Sequence, residues 1–221
     1  MYRILSAIII FFSVNLNAQD FKVSVNKLTE ETQQLSESPD NLKLVWWIPV
    51  EFWKAVFAED ESVPKEQADE IIEVFSQYTA MAILDGKIGP FGDVDYKSKD
   101  EIYNNLVLVD KNNVSYIPLV ESEIDSRTQS ILSFMKPVLG NMLGKLGDNM
   151  HFFLFQKKDN PLEPIIHPKL EESFNVKLSG EEFQWKLPLG SLLKPKICPV
   201  DGEKMNGSWQ YCPYHGKELK F

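Results

Sequence analysis

The amino-acid sequence predicts an α+β protein with a mixed or antiparallel sheet, two or three helices and a small C-terminal module. Apolar and polar residues alternate in paired runs that short turns separate, which is typical of antiparallel hairpins. Other stretches repeat apolar residues at helical spacing. Strand and helix patterns do not alternate regularly along the chain, and this favours an α+β arrangement over a parallel sheet with crossover helices.

The first eighteen of the 221 residues have the pattern of a signal peptide. Arg3 supplies a positive charge, residues 4–14 form an apolar run, and Ala18 ends a cleavage site before Gln19. The run is shorter than the roughly 20 residues of a membrane-spanning helix, which favours cleavage over an uncleaved anchor. We therefore expect residues 1–18 to be removed and the protein to be exported, periplasmic or secreted, without a stable membrane span.

Acidic residues dominate the charge of the chain. The formal charge is −9, from 23 basic and 32 acidic side chains, and loss of Arg3 with the signal peptide makes it −10. Such a balance repels the phosphate backbone of nucleic acids, and no cluster of basic residues with interleaved aromatics opposes it. We expect no nucleic-acid partner.

Residues 19–40 are mostly polar, and we expect them to be a loosely attached N-terminal segment. The strongly apolar Leu42–Ile48 then predicts a buried strand. Pro49 suits the first turn of a helix that follows. The aromatic residues of this corner, Trp46–Trp53, could line a ligand cleft, but their spacing favours a place in the core.

A second helix is predicted to start at Pro64, with acids opposite an apolar stripe. The stripe consists of Ala68, Ile71, Ile72, Phe75, Tyr78 and Ala82. Residues 85–95 follow as a segment rich in glycine and aspartate. Their spacing does not match a calcium loop, so we expect a surface loop with solvated carboxylates.

The rest of the main domain predicts two hairpins and a long helix. Residues 106–109 and 114–119 flank a turn, and the alternation of residues 174–187 predicts a second antiparallel pair. Between them, residues 122–146 have helical spacing, with Pro137 expected to kink or split the helix. We place the α+β domain at 41–193.

Catalytic motifs are missing from this predicted domain. The sequence contains no G-x-S-x-G, no phosphate-binding loop and no dinucleotide-binding glycine motif. We therefore expect a non-catalytic binding or structural protein. The alternative is an envelope or extracellular enzyme, and a deep cleft lined by Glu51, Asp85 or His151 would favour it. A filled core at the Trp46–Trp53 corner would favour the non-catalytic role.

Both cysteines lie in the tail, residues 194–221, in two copies of one pentapeptide. Cys198-Pro-Val-Asp-Gly202 and Cys212-Pro-Tyr-His-Gly216 are fourteen positions apart. In each copy a second potential ligand follows the cysteine by three residues, and glycine permits a tight turn. The predicted metal ligands are Cys198, Asp201, Cys212 and His215.

The tail resembles the zinc ribbons, which are built from two C-P-x-C-G knuckles. The shared residues are Cys198, Pro199, Gly202, Cys212, Pro213, Gly216 and the closing Leu219. The tail departs from that pattern at Asp201 and His215, which stand where cysteine is usual. The resemblance implies a bound zinc ion and a small sheet packed by Trp209 and Tyr211. In a non-catalytic protein we expect the module to pin the C-terminus or to offer a surface for a protein partner.

A disulfide between Cys198 and Cys212 is the alternative. Two cysteines of an exported chain pair by default in an oxidising compartment. A disulfide alone does not explain why a potential ligand and a glycine follow each cysteine at the same spacing. This pattern favours zinc over the disulfide.

Overall fold

The computed structural model describes residues 21–60, 62–142 and 144–221. Five α-helices and eleven β-strands occur within them, which confirms the predicted α+β class. The predicted signal peptide lies outside the described residues. The helices are α1 (Val25–Thr32), α2 (Val50–Glu59), α3 (Lys65–Phe75), α4 (Lys99–Tyr103) and α5 (Ser126–Met142). The strands are β1 (Gln33–Leu35), β2 (Asn41–Ile48), β3 (Thr79–Ile88), β4 (Val94–Tyr96), β5 (Leu106–Val109), β6 (Ser115–Tyr116), β7 (His151–Phe155), β8 (Ser173–Leu178), β9 (Glu181–Lys186), β10 (Lys196–Ile197) and β11 (Lys204–Met205). Short 3₁₀ helices cover Glu121–Glu123, Gly144–Asn149 and Gly190–Leu192.

The strands form three sheets, and every pairing is antiparallel. The first sheet has the order β1-β2-β3-β4, with β7 also pairing with β3. The second has the order β6-β5-β8-β9 and contains both predicted hairpins. The third is the pair β10-β11 in the C-terminal module. Hairpins supply part of these sheets, as the alternating patterns predict, while the pairs β2-β3, β3-β7 and β5-β8 join strands that are far apart in the sequence.

One large apolar core joins the first two sheets and the helices that cover them. Phe174 of β8 lies between Trp47 of β2 and Trp185 of β9, with ring centroids 4.9 Å away on both sides. Trp46 and Trp53 are also fully buried. The aromatic corner is thus part of the core, as its spacing predicts.

The N-terminal segment is more firmly attached than the sequence suggests. Leu28 of α1 is completely buried in the main core, and β1 adds to the edge of β2. Thr32 of α1 accepts a hydrogen bond from the indole of Trp46 at 3.2 Å. The polar composition conceals this docking because a single apolar face of a short helix is enough to anchor it.

Two details of the predicted helices differ in the structure. Helix α3 ends at Phe75, and the last two residues of the predicted stripe lie in a bend and in β3. Spacing alone locates the end of a helix poorly, and this explains the difference. Pro137 lies inside α5, so of its two predicted effects the splitting of the helix does not occur.

The predicted surface loop begins later than expected. Asp85 lies in β3 and is buried, where it accepts hydrogen bonds from Lys97 at 2.8 Å and from the hydroxyl of Ser179 at 2.6 Å. Lys43, its partner in the neighbouring strand, pairs with Glu181 at 3.1 Å. This polar network fastens the β8-β9 turn to the first sheet, so Asp85 has a structural role.

None of the described helices combines the length and the apolar character that crossing a membrane would require.

Candidate metal centre

The two pentapeptides of the C-terminal module fold into matching turns. Gly202 donates its backbone N–H to the carbonyl of Cys198 at 2.9 Å, and Gly216 donates to Cys212 at 2.8 Å. Both glycines have positive φ, 77° and 61°, a conformation that disfavours residues with a Cβ. The repeated sequence therefore encodes a repeated backbone turn.

A small network of β-bridges holds these turns side by side. Strands β10 and β11 follow one another around the first turn, and isolated bridges join Ile197 to Lys220 and Tyr211 to Glu218. A separate cluster of buried side chains lies between them. Its members are Cys198, Met205, Cys212 and Leu219.

The structure brings three predicted ligands together. Nδ1 of His215 lies 3.4 Å from Sγ of Cys198 and 3.6 Å from Sγ of Cys212. One ligand atom from each of these residues lies within 4.8 Å of the other two. A Cys₂His cluster that could hold a metal ion therefore exists in the fold, between residues separated by up to seventeen positions.

Asp201, the fourth predicted ligand, lies beside this cluster but outside the set of mutually close atoms. Its Oδ2 is 3.6 Å from Nδ1 of His215. Its Oδ1 accepts a hydrogen bond from the backbone N–H of Glu203 at 3.0 Å, which stabilises the turn. One oxygen of the carboxylate thus lies near the cluster, while the other stabilises the turn through a backbone hydrogen bond.

The surroundings of the two thiols differ. Burial raises the pKa of Cys198. Burial also acts on Cys212, but backbone N–H groups of His215 and Tyr214, together with the His215 ring, outweigh it and lower the pKa of that thiol. The Glu203 N–H and the Cys198 thiol hold the pKa of Asp201 below its ordinary value. The surroundings therefore make Cys212 and Asp201 easier to ionise, and Cys198 harder to ionise, than the free side chains.

Both cysteines carry free thiols in this structure and are buried, whereas about a third of the His215 and Asp201 side chains is exposed. The cluster is thus closed by the module core on its sulfur side and reachable by solvent on the other. Soft thiolates with an imidazole suit a transition metal, and hard oxygen-seeking cations such as magnesium are disfavoured.

Two of the expected packing residues lie elsewhere. Trp209 and Tyr211, which the resemblance expects to pack the small sheet, are 43% and 56% exposed. The smaller Met205 and Leu219 fill the interior instead. Once two sulfur atoms occupy the centre of so small a module, little volume is left for an indole ring.

Glu31, a carboxylate distant in sequence, binds both the end of the main domain and the C-terminal module. Oε2 of Glu31 in α1 accepts hydrogen bonds from the backbone N–H and the hydroxyl of Ser191, at 2.9 and 2.6 Å. Its Oε1 accepts a bond from the amide of Asn206 at 3.1 Å. Sequence reasoning missed Glu31, since nothing local distinguishes it from neighbouring acids.

The three residues that could mark an enzyme cleft have different surroundings. Asp85 is buried in its structural network, and Glu51 lies half-buried on α2. His151 opens β7 and lines a surface groove. Burial raises the free energy of an ionised imidazole, and with Lys136 and Lys99 it lowers the pKa of His151. The structure does not assemble a catalytic group from these three residues.

Comparison with protein-family models, curated proteins and solved structures gave no match to this chain.

Proposed function

We propose that this chain is an exported protein with a non-catalytic, binding or structural role, and that its C-terminal zinc-ribbon-like module, residues 194–221, binds one zinc ion. The ligands in this proposal are Cys198, Asp201, Cys212 and His215. Its main support is the set of distances from Nδ1 of His215 to the ligand atoms of the other three residues.

Zinc fits this separation. With Zn–S distances of about 2.3 Å and Zn–N or Zn–O distances of about 2.0–2.2 Å, tetrahedral ligand atoms lie about 3.3–3.8 Å apart. The distances from Nδ1 of His215 are 3.4 Å to Cys198, 3.6 Å to Cys212 and 3.6 Å to Asp201. A rotation of the Asp201 side chain would then complete a four-ligand site.

The charge of the ligand set supports the same metal. Two thiolates and one carboxylate carry three negative charges, the same number as a Cys₃His zinc site, and a neutral imidazole supplies the fourth ligand. A site filled by four protein ligands has no open position for a substrate. This favours a structural zinc over a catalytic one.

The aromatic corner also supports a non-catalytic role, because its tryptophans fill the core and leave no cleft there. The module in contrast exposes several large rings. Trp209, Tyr211, Tyr214 and Phe221 are each 43–79% exposed. Aromatic residues are enriched at protein–protein interfaces, so this surface suits the protein partner that the module is proposed to contact.

Elemental analysis of the mature protein tests the metal. We expect about one zinc per chain and thiols that react only after a chelator is added. His215→Ala should lower the affinity for zinc without creating a disulfide. His167→Ala is the matched control, because His167 pairs with Glu163 in the main domain, 3.1 Å away, and should not affect zinc content.

The non-reducing intact mass decides between zinc and the disulfide. A metal-free chain that is lighter than the dithiol by two hydrogens would contradict the proposal. In that case Asp201 and His215 would be turn residues only.

Export is tested separately by sequencing the N-terminus of the protein recovered from the periplasm or the medium. We expect a start near Gln19. Full-length chain retained in the membrane would contradict export and leave the metal proposal intact.

A further inference from the structure

A groove on the main domain is independent of the metal centre. It lies between α4, α5, β7 and the segment 119–124, and it encloses about 500 Å³. This volume is within the range of about 300–1,000 Å³ that is usual for small-molecule sites. The proposed zinc module takes no part in it.

The floor of the groove is apolar. Leu119, Ile124, Leu132 and Phe152 line it and are partly buried hydrophobic residues packed against the main core. Leu154 of β7 continues the floor and is buried. A ligand that covers these side chains would remove apolar surface from water, at about 25 cal/mol per Å².

One part of the groove is basic. Lys99 of α4, Lys136 of α5 and His151 of β7 come from three separate elements and line the same space. Within the part of the chain that the structure describes, neither lysine has a carboxylate within salt-bridge distance. Two lysines and a half-buried imidazole therefore share one side-chain lining, although they lie far apart in the sequence.

Two acids, Asp100 and Glu121, also line the groove. The groove as a whole therefore has no excess of either sign, and the proposal below depends on Lys99, Lys136 and His151 lining the same space.

We propose that this groove binds a small amphiphilic carboxylate, with the carboxylate between Lys99, Lys136 and His151 and its apolar body along the floor. Lysine ammonium groups form charge-assisted hydrogen bonds with a carboxylate. His151 is half-buried, so a hydrogen bond from its ring to the carboxylate is less weakened by water than one at an exposed position. A medium-chain fatty acid represents this class.

Calorimetric titration of the mature protein with decanoate, kept below its micelle concentration, tests the site. We expect saturable binding of one decanoate per chain. Decanol and decylammonium have the same apolar chain without the negative charge, and we expect them to bind at least tenfold more weakly. Absence of saturable decanoate binding would overturn the proposal, and so would equal affinity for decylammonium.

A double variant, Lys99→Gln with Lys136→Gln, locates the site. We expect the affinity for decanoate to fall at least tenfold, while the circular dichroism and thermal transition stay those of the unmodified protein. Lys54→Gln is the matched control, since Lys54 is exposed on α2 and does not line this groove. Unchanged decanoate affinity in the double variant would show that the ligand binds elsewhere and would refute the assignment.

Discussion

The main domain and the C-terminal module are held together by different means. The main domain buries a continuous core of aromatic and aliphatic side chains between two sheets and their helices. The module buries four side chains, two of which are cysteines. Below about 40 residues an apolar core rarely stabilises a fold without a disulfide, a metal or a partner. We therefore expect the stability of the module to depend on its cysteines, and that of the main domain on its buried apolar area.

The placement of tryptophan follows this difference. Trp46, Trp47, Trp53 and Trp185 are all buried in the main domain. Trp209, in the module, has 43% of its surface exposed. Large rings stabilise a domain that can enclose them, whereas in a module this small they remain available for contacts with other molecules.

The largest expected effect is the loss of a proposed metal ligand. Cys212→Ser should abolish zinc binding and with it the amide protection of residues 196–221, because structural zinc contributes about 10–16 kcal/mol in small zinc peptides. Strands of the main domain should keep their protection, which hydrogen exchange with mass spectrometry would measure. Val200→Ser, at an exposed position of the first turn, is the control. Loss of protection throughout the chain would show that the two regions fold as one.

Removing an aromatic ring from the main core should have the next largest effect. Phe174→Ala deletes the ring between Trp47 and Trp185, and we expect a loss of about 3–5 kcal/mol in the free energy of unfolding. Chemical denaturation measures this loss, and zinc content should not change. Phe91→Ala provides the control, since Phe91 is 96% exposed and its removal should cost less than about 0.5 kcal/mol.

Glu31 links α1 to the end of the main domain at Ser191 and to the module at Asn206, and its loss should have a smaller effect. Glu31→Gln replaces a carboxylate that accepts three hydrogen bonds, and we expect a loss of about 1–2 kcal/mol. Amides near Ser191 and Asn206 should exchange faster, with zinc retained. Glu30→Gln, on the exposed side of the same helix, should leave these exchange rates unchanged. Equal rates in the two variants would show that Glu31 does not attach the module.

A smaller effect, confined to acidic pH, is expected at α5. Asp125 precedes this helix and accepts hydrogen bonds from the hydroxyl and the backbone N–H of Thr128, at 2.6 and 3.0 Å. These bonds lower its pKa from the ordinary value of 3.8. The charged form therefore stabilises the folded state above the ordinary pKa, and this stabilisation is lost as pH falls through the folded pKa.

Asp125→Ala should cost about 1 kcal/mol at neutral pH, as loss of a helix cap typically does. Asp125→Asn keeps an acceptor without the charge, so its difference from the unmodified protein should shrink over the acidic range, as pH falls through the ordinary pKa of 3.8 and then through the lower folded pKa. Urea denaturation across this range measures it. A difference independent of pH would show that the charge of Asp125 does not stabilise the helix.

Local sequence patterns alone were enough to predict several strands and most of the candidate metal ligands. Alternation identified the hairpin of residues 174–187, and the apolar run Leu42–Ile48 identified β2, since side-chain direction along a strand depends only on neighbouring residues. The spacing of the pentapeptides likewise predicted that Cys198, Cys212 and His215 lie close together. This was predictable because the backbone geometry of each turn fixes which of its side chains lie on the same side.

Tertiary structure decided the rest. Glu31 meets Ser191 and Asn206 across 160 and 175 positions, and no local pattern encodes such a contact. Packing also buried Asp85, exposed Trp209 and brought Lys99, Lys136 and His151 to one groove. Which residues meet across a fold depends on how whole elements fill space together, and this is settled only when the sheets and helices have packed.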